Sequence, residues 1–191
     1  MHLSAMLLLL TPIADQSALP PLGPWRVEAE ENLCLLSHAF GTESAKVLFG
    51  LQPLFAAPIM ELIVITPGGS RQQYVGKTKV TFASGATLDG DYASVPVKNS
   101  RRLARLTVPS EAYVMVAREK TVRLQARGLD VQLNLPPANK AVQVFDQCQR
   151  TLLQSWGIDP KPCIRIGRPS RSIRNESFVR PTIRRKLSAM A

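Results

Sequence analysis

The sequence predicts an α+β domain, in which a mainly antiparallel β-sheet forms a sandwich or a partly closed barrel and one C-terminal helix packs on it. Three observations predict this class. Short segments along most of the chain alternate apolar and polar residues with the period of two that is typical of half-buried strands. Residues 139–156 instead show apolar spacings of three and four, as in an amphipathic helix. The chain has no repeat of about 20–50 residues and no alternation of strands with long helices, which argues against a parallel α/β enzyme fold.

The first elements are strands. Residues 19–24 contain three prolines and form a stiff entry that cannot be helical. Strands are expected at residues 25–29 and 32–40, with residues 30–32 marking the turn between them. By the period of two, one face of the second strand carries Cys34, Leu36, His38 and Phe40.

The middle of the chain predicts three further strands and a turn. Residues 45–52 alternate, residues 58–69 are apolar on both faces as in a central strand, and residues 74–82 alternate again. The Asp89-Gly90-Asp91 sequence is interpreted as a turn rather than as part of a calcium loop.

The next segments are less uniform. Residues 92–98 are predicted to be an edge strand, because Pro96 has no N–H to donate to a sheet. Residues 101–109 fit neither pattern clearly. Residues 110–118 predict a short helix capped by Ser110.

A pair of strands and the helix complete the predicted domain. The two strands flank Gly128, and their apolar faces consist of Val122, Leu124 and Ala126, and of Leu129, Val131, Leu133 and Leu135. The helix at 139–156 has Asn139 as its expected N-cap, Gly157 at the C′ position and Asp159-Pro160 as its stop. Its expected buried stripe consists of Ala141, Phe145, Cys148, Leu152 and Trp156.

Charge divides the chain into a body and a tail. The net charge is +10, and residues 160–191 contain nine basic and one acidic residue, whereas residues 19–159 contain 15 basic and 12 acidic residues. A uniform nucleic-acid-binding domain is therefore disfavoured. The tail is interpreted as an anion-binding segment that contacts lipid or lipopolysaccharide phosphates or an acidic protein, through Arg165, Arg168, Arg171 and Arg174 and through Arg184, Arg185 and Lys186. The alternative is a disordered, solvated tail that has no dedicated ligand.

The N-terminus resembles a secretory signal. Residues 3–14 are apolar but too short to span a bilayer, and small residues follow at Ala14, Ser17 and Ala18. We expect residues 1–18 to be a signal peptide and the protein to be periplasmic or secreted. The alternative is an amphipathic or buried N-terminal helix.

If the chain is exported, it resides in an oxidising compartment, where two of its three cysteines are expected to form a disulfide. Cys34, Cys148 and Cys163 form no CxxC pair, which gives no support to a zinc or thioredoxin-type centre. A disulfide between Cys34 and Cys148 is favoured, because both lie in strongly patterned segments and Cys163 lies in the polar tail. Two buried thiols that never meet are the alternative.

The sequence contains no recognisable catalytic or ligand-binding motif. After removal of residues 1–18, His38 is the only histidine, and it is interpreted as a packed or surface residue. HExxH, EF-hand, G-x-S-x-G, GxGxxG and Walker sequences are all absent from the chain. We therefore expect no metal, no cofactor and no enzymatic activity.

Two segments carry a resemblance to known families. Trp25, Cys34, Phe40 and Gly41 lie in the first, and Cys148, Leu152, Trp156 and Gly157 lie in the second. Over residues 20–160 they resemble the exported region that precedes the linker in some energy-transducer (TonB-type) proteins, and related stand-alone periplasmic proteins of Gram-negative bacteria. A looser similarity exists to the invasion-associated locus B family. The resemblance implies a non-enzymatic periplasmic domain, but no TonB-type C-terminal domain follows residue 160, so energy coupling is not implied.

The sequence thus favours a non-catalytic exported domain that contacts an envelope partner or an anionic surface. Two alternatives stay open. A periplasmic hydrolase would need His38 beside a nucleophile. A cytosolic nucleic-acid-binding protein would retain residues 1–18.

Overall fold

A computed structural model describes residues 17–54, 58–68 and 70–159 and confirms the predicted class. A mostly antiparallel sheet curves into a half-barrel with a helix at the C-terminal end of the described chain. The strands are β1 (Pro21–Glu30), β2 (Leu33–Gly41), β3 (Lys46–Leu54), β4 (Ile59–Pro67), β5 (Tyr74–Phe82), β6 (Thr87–Val97), β7 (Arg101–Pro109), β8 (Thr121–Ala126) and β9 (Leu129–Asn134). The helices are α1 (Glu111–Arg118) and α2 (Asn139–Ser155).

The nine strands of the described residues belong to one sheet in the order β1-β2-β3-β4-β7-β6-β5-β8-β9, and each of these strand pairs is antiparallel. The segment before β1 links the two ends of this sheet. The Leu19 N–H donates to the Gln132 carbonyl at 2.8 Å, and the Asn134 N–H donates to the Leu19 carbonyl at 3.0 Å. The Trp25 indole N–H adds a hydrogen bond of 3.1 Å to the carbonyl of Pro136. The outer strands β1 and β9 are therefore tied together at one end of the half-barrel.

The concave face of the sheet forms the core. Alternating residues of successive strands meet there, among them Leu36, Phe49, Leu62, Leu106 and Leu124, each with 0% of its surface exposed. A side chain of this size contributes about 1.5–3 kcal/mol when fully buried. The period of two that predicts the strands is thus the consequence of one face packing inward.

The expected turn at Asp89-Gly90-Asp91 is wrong, because these residues lie within β6. The β5–β6 turn instead contains Gly85, which has a φ of +83° and donates its N–H to the Phe82 carbonyl at 2.9 Å. Gly90 serves another purpose. A Cβ placed on it would lie 2.2 Å from the carbonyl oxygen of Thr107 in β7. The glycine permits a close approach of two strands rather than a reversal of the chain.

The expected edge strand around Pro96 is also wrong, because β6 lies between β5 and β7. The β5–β6 pairing ends at Ser94, whereas Pro96 pairs with Arg102 of β7 farther along. One side of β6 thus has no neighbouring strand at the proline, which makes the missing N–H tolerable. The ambiguous residues 101–109 form β7.

The two helices are confirmed, and so is the N-cap position of α1, whereas the N-cap of α2 differs from the expected Asn139. Ser110 occupies the N-cap position of α1 without making a side-chain cap hydrogen bond. The N-cap of α2 is Ala138, whose carbonyl accepts the N–H of Val142 at 2.8 Å, so the helix includes Asn139. The C-terminal end is as expected, since Gly157 has a φ of +73°.

The buried face of α2 differs from the expected stripe at its C-terminal end. Phe145 and Leu152 are buried as expected, but Trp156 is 41% exposed. Because the helix ends at Ser155, Trp156 no longer follows the helical period. The additional buried residues on this face are Gln149 and Leu153.

The contact at Gly90 generates a test of the corrected strand assignment. We expect Gly90→Ala to lower the free energy of unfolding by about 1–3 kcal/mol, because the new methyl group overlaps the β7 backbone. Gly76→Ala in β5 is the matched control, since no heavy atom lies within 4 Å of a Cβ there, and its effect should stay within about 1 kcal/mol. Urea unfolding measures both variants. Equal effects of the two substitutions would contradict the close approach.

Candidate functional site

A disulfide joins Cys34 of β2 to Cys148 of α2, the pair that the sequence analysis favours. The two Cα atoms are 6.1 Å apart and the cysteines are separated by 114 positions in the chain. Closing a loop of this length stabilises the folded chain by about 4–5 kcal/mol in the chain-entropy description. The bridge therefore fastens the last helix to the first hairpin.

The other predicted site residues lie outside the described residues. This holds for Arg165, Arg168, Arg171 and Arg174, for Arg184, Arg185 and Lys186, and for Cys163. It also holds for residues 1–16 of the predicted signal peptide. Anion binding by the tail and cleavage before Leu19 stay predictions.

His38 is a packed residue, with 2% of its surface exposed. Its ring centroid lies 4.8 Å from that of Trp25 and 4.7 Å from that of Phe40. Nδ1 is 2.6 Å from the Ala39 carbonyl oxygen and Nε2 is 2.9 Å from the Gly23 carbonyl oxygen. Both ring nitrogens thus face carbonyl oxygens, whereas a catalytic base must face a hydroxyl, thiol or water.

Burial lowers the pKa of His38, and the contacts with the Ala39 and Gly23 carbonyls oppose this shift without cancelling it. A neutral imidazole has one N–H, so it can donate to only one of the two carbonyls. The ring holds the bulged part of β1 near Gly23 against β2. Its role in the described structure is to fasten this bulge.

A groove of about 600 Å³ runs between α2 and the first strand, with the disulfide in its wall. We call it the helix–strand groove. Its residues on β1 and β2 are Val27, Ala29, Glu30 and Cys34, and those on α2 are Gln143, Val144, Gln147, Cys148, Thr151, Leu152 and Ser155. Apolar side chains and the disulfide alternate with amide and hydroxyl groups, a composition suited to an extended peptide.

A second groove, of about 570 Å³, lies on the opposite face of β2, β3 and β4. We call it the outer groove. Half-buried apolar residues form its floor, namely Leu35, Ala39, Leu48, Ile63 and Ile65. Charged residues form its rim, namely Arg26, Glu28, Glu43 and Lys46. Glu43 and Lys46 form an ion pair of 2.8 Å. The only sequence signal for this surface is that residues 58–69 are apolar on both faces.

Arg102 of β7 is a buried cation that no sequence pattern indicated, and it is 2% exposed. Its guanidinium donates to the Ser94 hydroxyl and to the carbonyls of Ser70 and Gln72, the last at 2.6 Å, and it lies 4.8 Å from the centroid of the Tyr74 ring. These neutral groups satisfy the arginine and fasten the segment before β5. Because all of its partners are structural, we assign Arg102 to the fold.

Within residues 17–54, 58–68 and 70–159, no group of three His, Cys, Asp or Glu side chains could hold a metal ion. Neither of the two described helices is long and apolar enough to cross a membrane. Comparisons with known proteins find no matching family model, no matching curated protein and no matching solved structure. The similarity to exported transducer regions therefore stays a prediction.

The environment of His38 predicts a pH dependence of stability. Because its pKa is lower in the folded chain than the usual 6.5, the unfolded chain binds the proton more readily. The free energy of unfolding should fall as the pH decreases from 7.5 to 5, by at most about 1.4 kcal/mol per pH unit.

Urea unfolding of the oxidised chain at several pH values measures this slope, and His38→Gln should flatten it. Asp130 also has a shifted pKa, but the shift is downward, mainly through its hydrogen bond with Arg123, so it acts at more acidic pH. Stability that rises on acidification would show that both carbonyls hold a protonated ring, which contradicts the prediction.

Proposed function

We propose that this chain is an exported, non-catalytic binding domain of the bacterial envelope, whose basic tail contacts an anionic surface. The disulfide between Cys34 and Cys148 is the observation that carries the proposal. Disulfides persist in oxidising compartments such as the periplasm and are rare in the reducing cytosol. The apolar, signal-like residues 3–14 support the same location.

The non-catalytic part of the proposal is supported by His38. Its ring nitrogens contact two backbone carbonyls, and burial lowers its pKa. The hydrolase alternative requires this histidine to activate a nucleophile, which would require the ring to leave these contacts.

Export is tested by mass spectrometry of the protein produced with its own N-terminus in a Gram-negative host. We expect a periplasmic chain that begins at Leu19 and carries one disulfide, so that without reduction only Cys163 reacts with an alkylating reagent. The control variant is Leu9→Arg, which interrupts the apolar stretch and should retain the protein in the cytoplasm. A wild-type chain that keeps residues 1–18 and has three reduced thiols would contradict export and favour the nucleic-acid-binding alternative.

The charge distribution supports the choice of an anionic partner. Residues 160–191 carry a net charge of +8, whereas residues 19–159 carry +3. Basic residues near an anionic lipid surface contribute about 1 kcal/mol each. The tail, and not the body, is therefore the expected contact with lipid or lipopolysaccharide phosphates.

Binding of the full chain to vesicles tests the role of the tail. We expect binding to phosphatidylglycerol or lipopolysaccharide vesicles at low ionic strength, and none to phosphatidylcholine vesicles. Replacing Arg168, Arg171 and Arg174 by Gln should weaken binding about a hundredfold. The matched control replaces three exposed arginines of the body by Gln, namely Arg71, Arg118 and Arg150. Equal losses from both variants, or binding that high salt leaves unchanged, would contradict the proposal.

An envelope protein is a second candidate partner, and the outer groove favours it. Leu48, Ile63 and Ile65 form a half-buried apolar surface inside a charged rim. Such a surface on a small domain is typical of an interaction site. If the tail variant that no longer binds lipid vesicles still binds an envelope protein, that result would favour this second candidate.

A further inference from the structure

Strand β1 leaves one edge without a strand partner in the described chain. β1 is the first strand of the sheet and pairs with β2 only. Residues 17–20 connect to β9, but this link involves Leu19 and does not extend along Arg26 to Glu30. An exposed strand edge presents N–H and C=O groups that favour pairing with another extended segment.

The helix–strand groove lies along this edge, and the chain direction of its two walls can be compared. The Trp25 indole N–H binds the carbonyl of Pro136, just before α2 begins. Farther along β1, Ala29 pairs with Cys34, which is bonded to Cys148 in the middle of α2. β1 and α2 therefore run in the same direction. The chain leaves α2 near the end of the groove that Ser155 lines.

The chain beyond Asp159 has a sequence that fits the groove. In residues 163–167, which read Cys-Ile-Arg-Ile-Gly, the period of two places Ile164 and Ile166 on one side and Arg165 on the other. The intervening residues 160–162 span up to about 10 Å, enough for a reversal of direction. A segment that turns back from α2 would run antiparallel to β1, the arrangement that a short connection allows.

The alternating side chains of residues 164–166 match the chemical character of the two faces of β1. Val27 and Ala29 line the groove beside Leu152 and the disulfide, and Val144 on the facing helix is 58% exposed. The opposite face of β1 carries the exposed Glu28. Two isoleucines directed into the groove would cover its apolar floor. The intervening arginine would then lie on the same face as Glu28, as in an opposite-charge cross-strand pair.

We propose that residues 163–167 of this chain bind in the helix–strand groove as an antiparallel strand added to β1. Ile164 and Ile166 face Val27, Ala29 and Leu152, and Arg165 faces Glu28. The tail is thereby anchored at its root, while the arginines from Arg168 onward extend from the end of the groove. The inference is independent of which anionic surface these arginines contact.

Hydrogen exchange of the full, oxidised chain tests this docking. We expect the β1 amides of residues 26–30 that point away from β2 to exchange about tenfold more slowly in the wild-type chain than in the Ile164→Asp/Ile166→Asp variant. The matched control is Ile173→Asp/Ile183→Asp, which makes the same change farther along the tail and should keep the wild-type rates. The altered residues lie beyond α2, and near-ultraviolet circular dichroism checks that the domain remains folded.

Equal β1 exchange rates in the three proteins would overturn the proposal. Protection that increases with protein concentration would also overturn it, because the occupant would then be a second copy. A charge exchange provides the second test. Glu28→Lys should raise the β1 exchange rates, and adding Arg165→Glu should restore them. A double variant no better protected than Glu28→Lys alone would contradict the antiparallel register.

Discussion

The covalent link between β2 and α2 is a constraint on which the helix–strand groove of this domain depends. The half-barrel has two outer strands, β1 and β9, and the described backbone hydrogen bonds that link their ends involve Leu19. Alongside the rest of β1 lies α2, whose attachment through Cys34 and Cys148 holds it beside that strand. Phe145 and Leu152 of the same helix complete the core beneath. The disulfide and these core contacts together position the α2 wall of the helix–strand groove, whose residues come from opposite ends of the described chain.

Much of the fold was predictable because strands and helices each impose a short repeat of apolar residues on the sequence. β2, β8 and β9 follow the period of two, and the buried Phe145 and Leu152 follow the helical period of α2. The incorrect predictions concern residues whose role depends on a contact with a residue that is distant in the sequence. Gly90 resembles a turn residue in isolation, yet its lack of a side chain matters because Thr107 of β7 lies against it. The position of Pro96 in β6 is likewise explained only by the residue at which β5 begins, Tyr74, which pairs with Ser94.

The candidate site was less predictable for the same reason. The pairing of Cys34 with Cys148 could be favoured because both cysteines lie in patterned segments, one in a strand and one in a helix. The helix–strand groove could not be predicted from the sequence. Its facing walls contain Val27 and Val144, which are more than a hundred positions apart in the chain. His38 shows the same limit. Its alternation with Phe40 indicates an inward-facing residue, but its contact with the Gly23 carbonyl depends on the bulge in β1.

When one face of a curved sheet packs against the core, the other face is expected to carry polar residues. The outer groove of this domain is an exception. Leu48, Ile63 and Ile65 make that face apolar although no described element covers it. The helix–strand groove is a second partly apolar surface, and the alternation at residues 163–167 offers a cover for it within the same chain. An apolar surface that the described residues leave exposed is typical of an interaction site, and this supports the proposal of a binding domain.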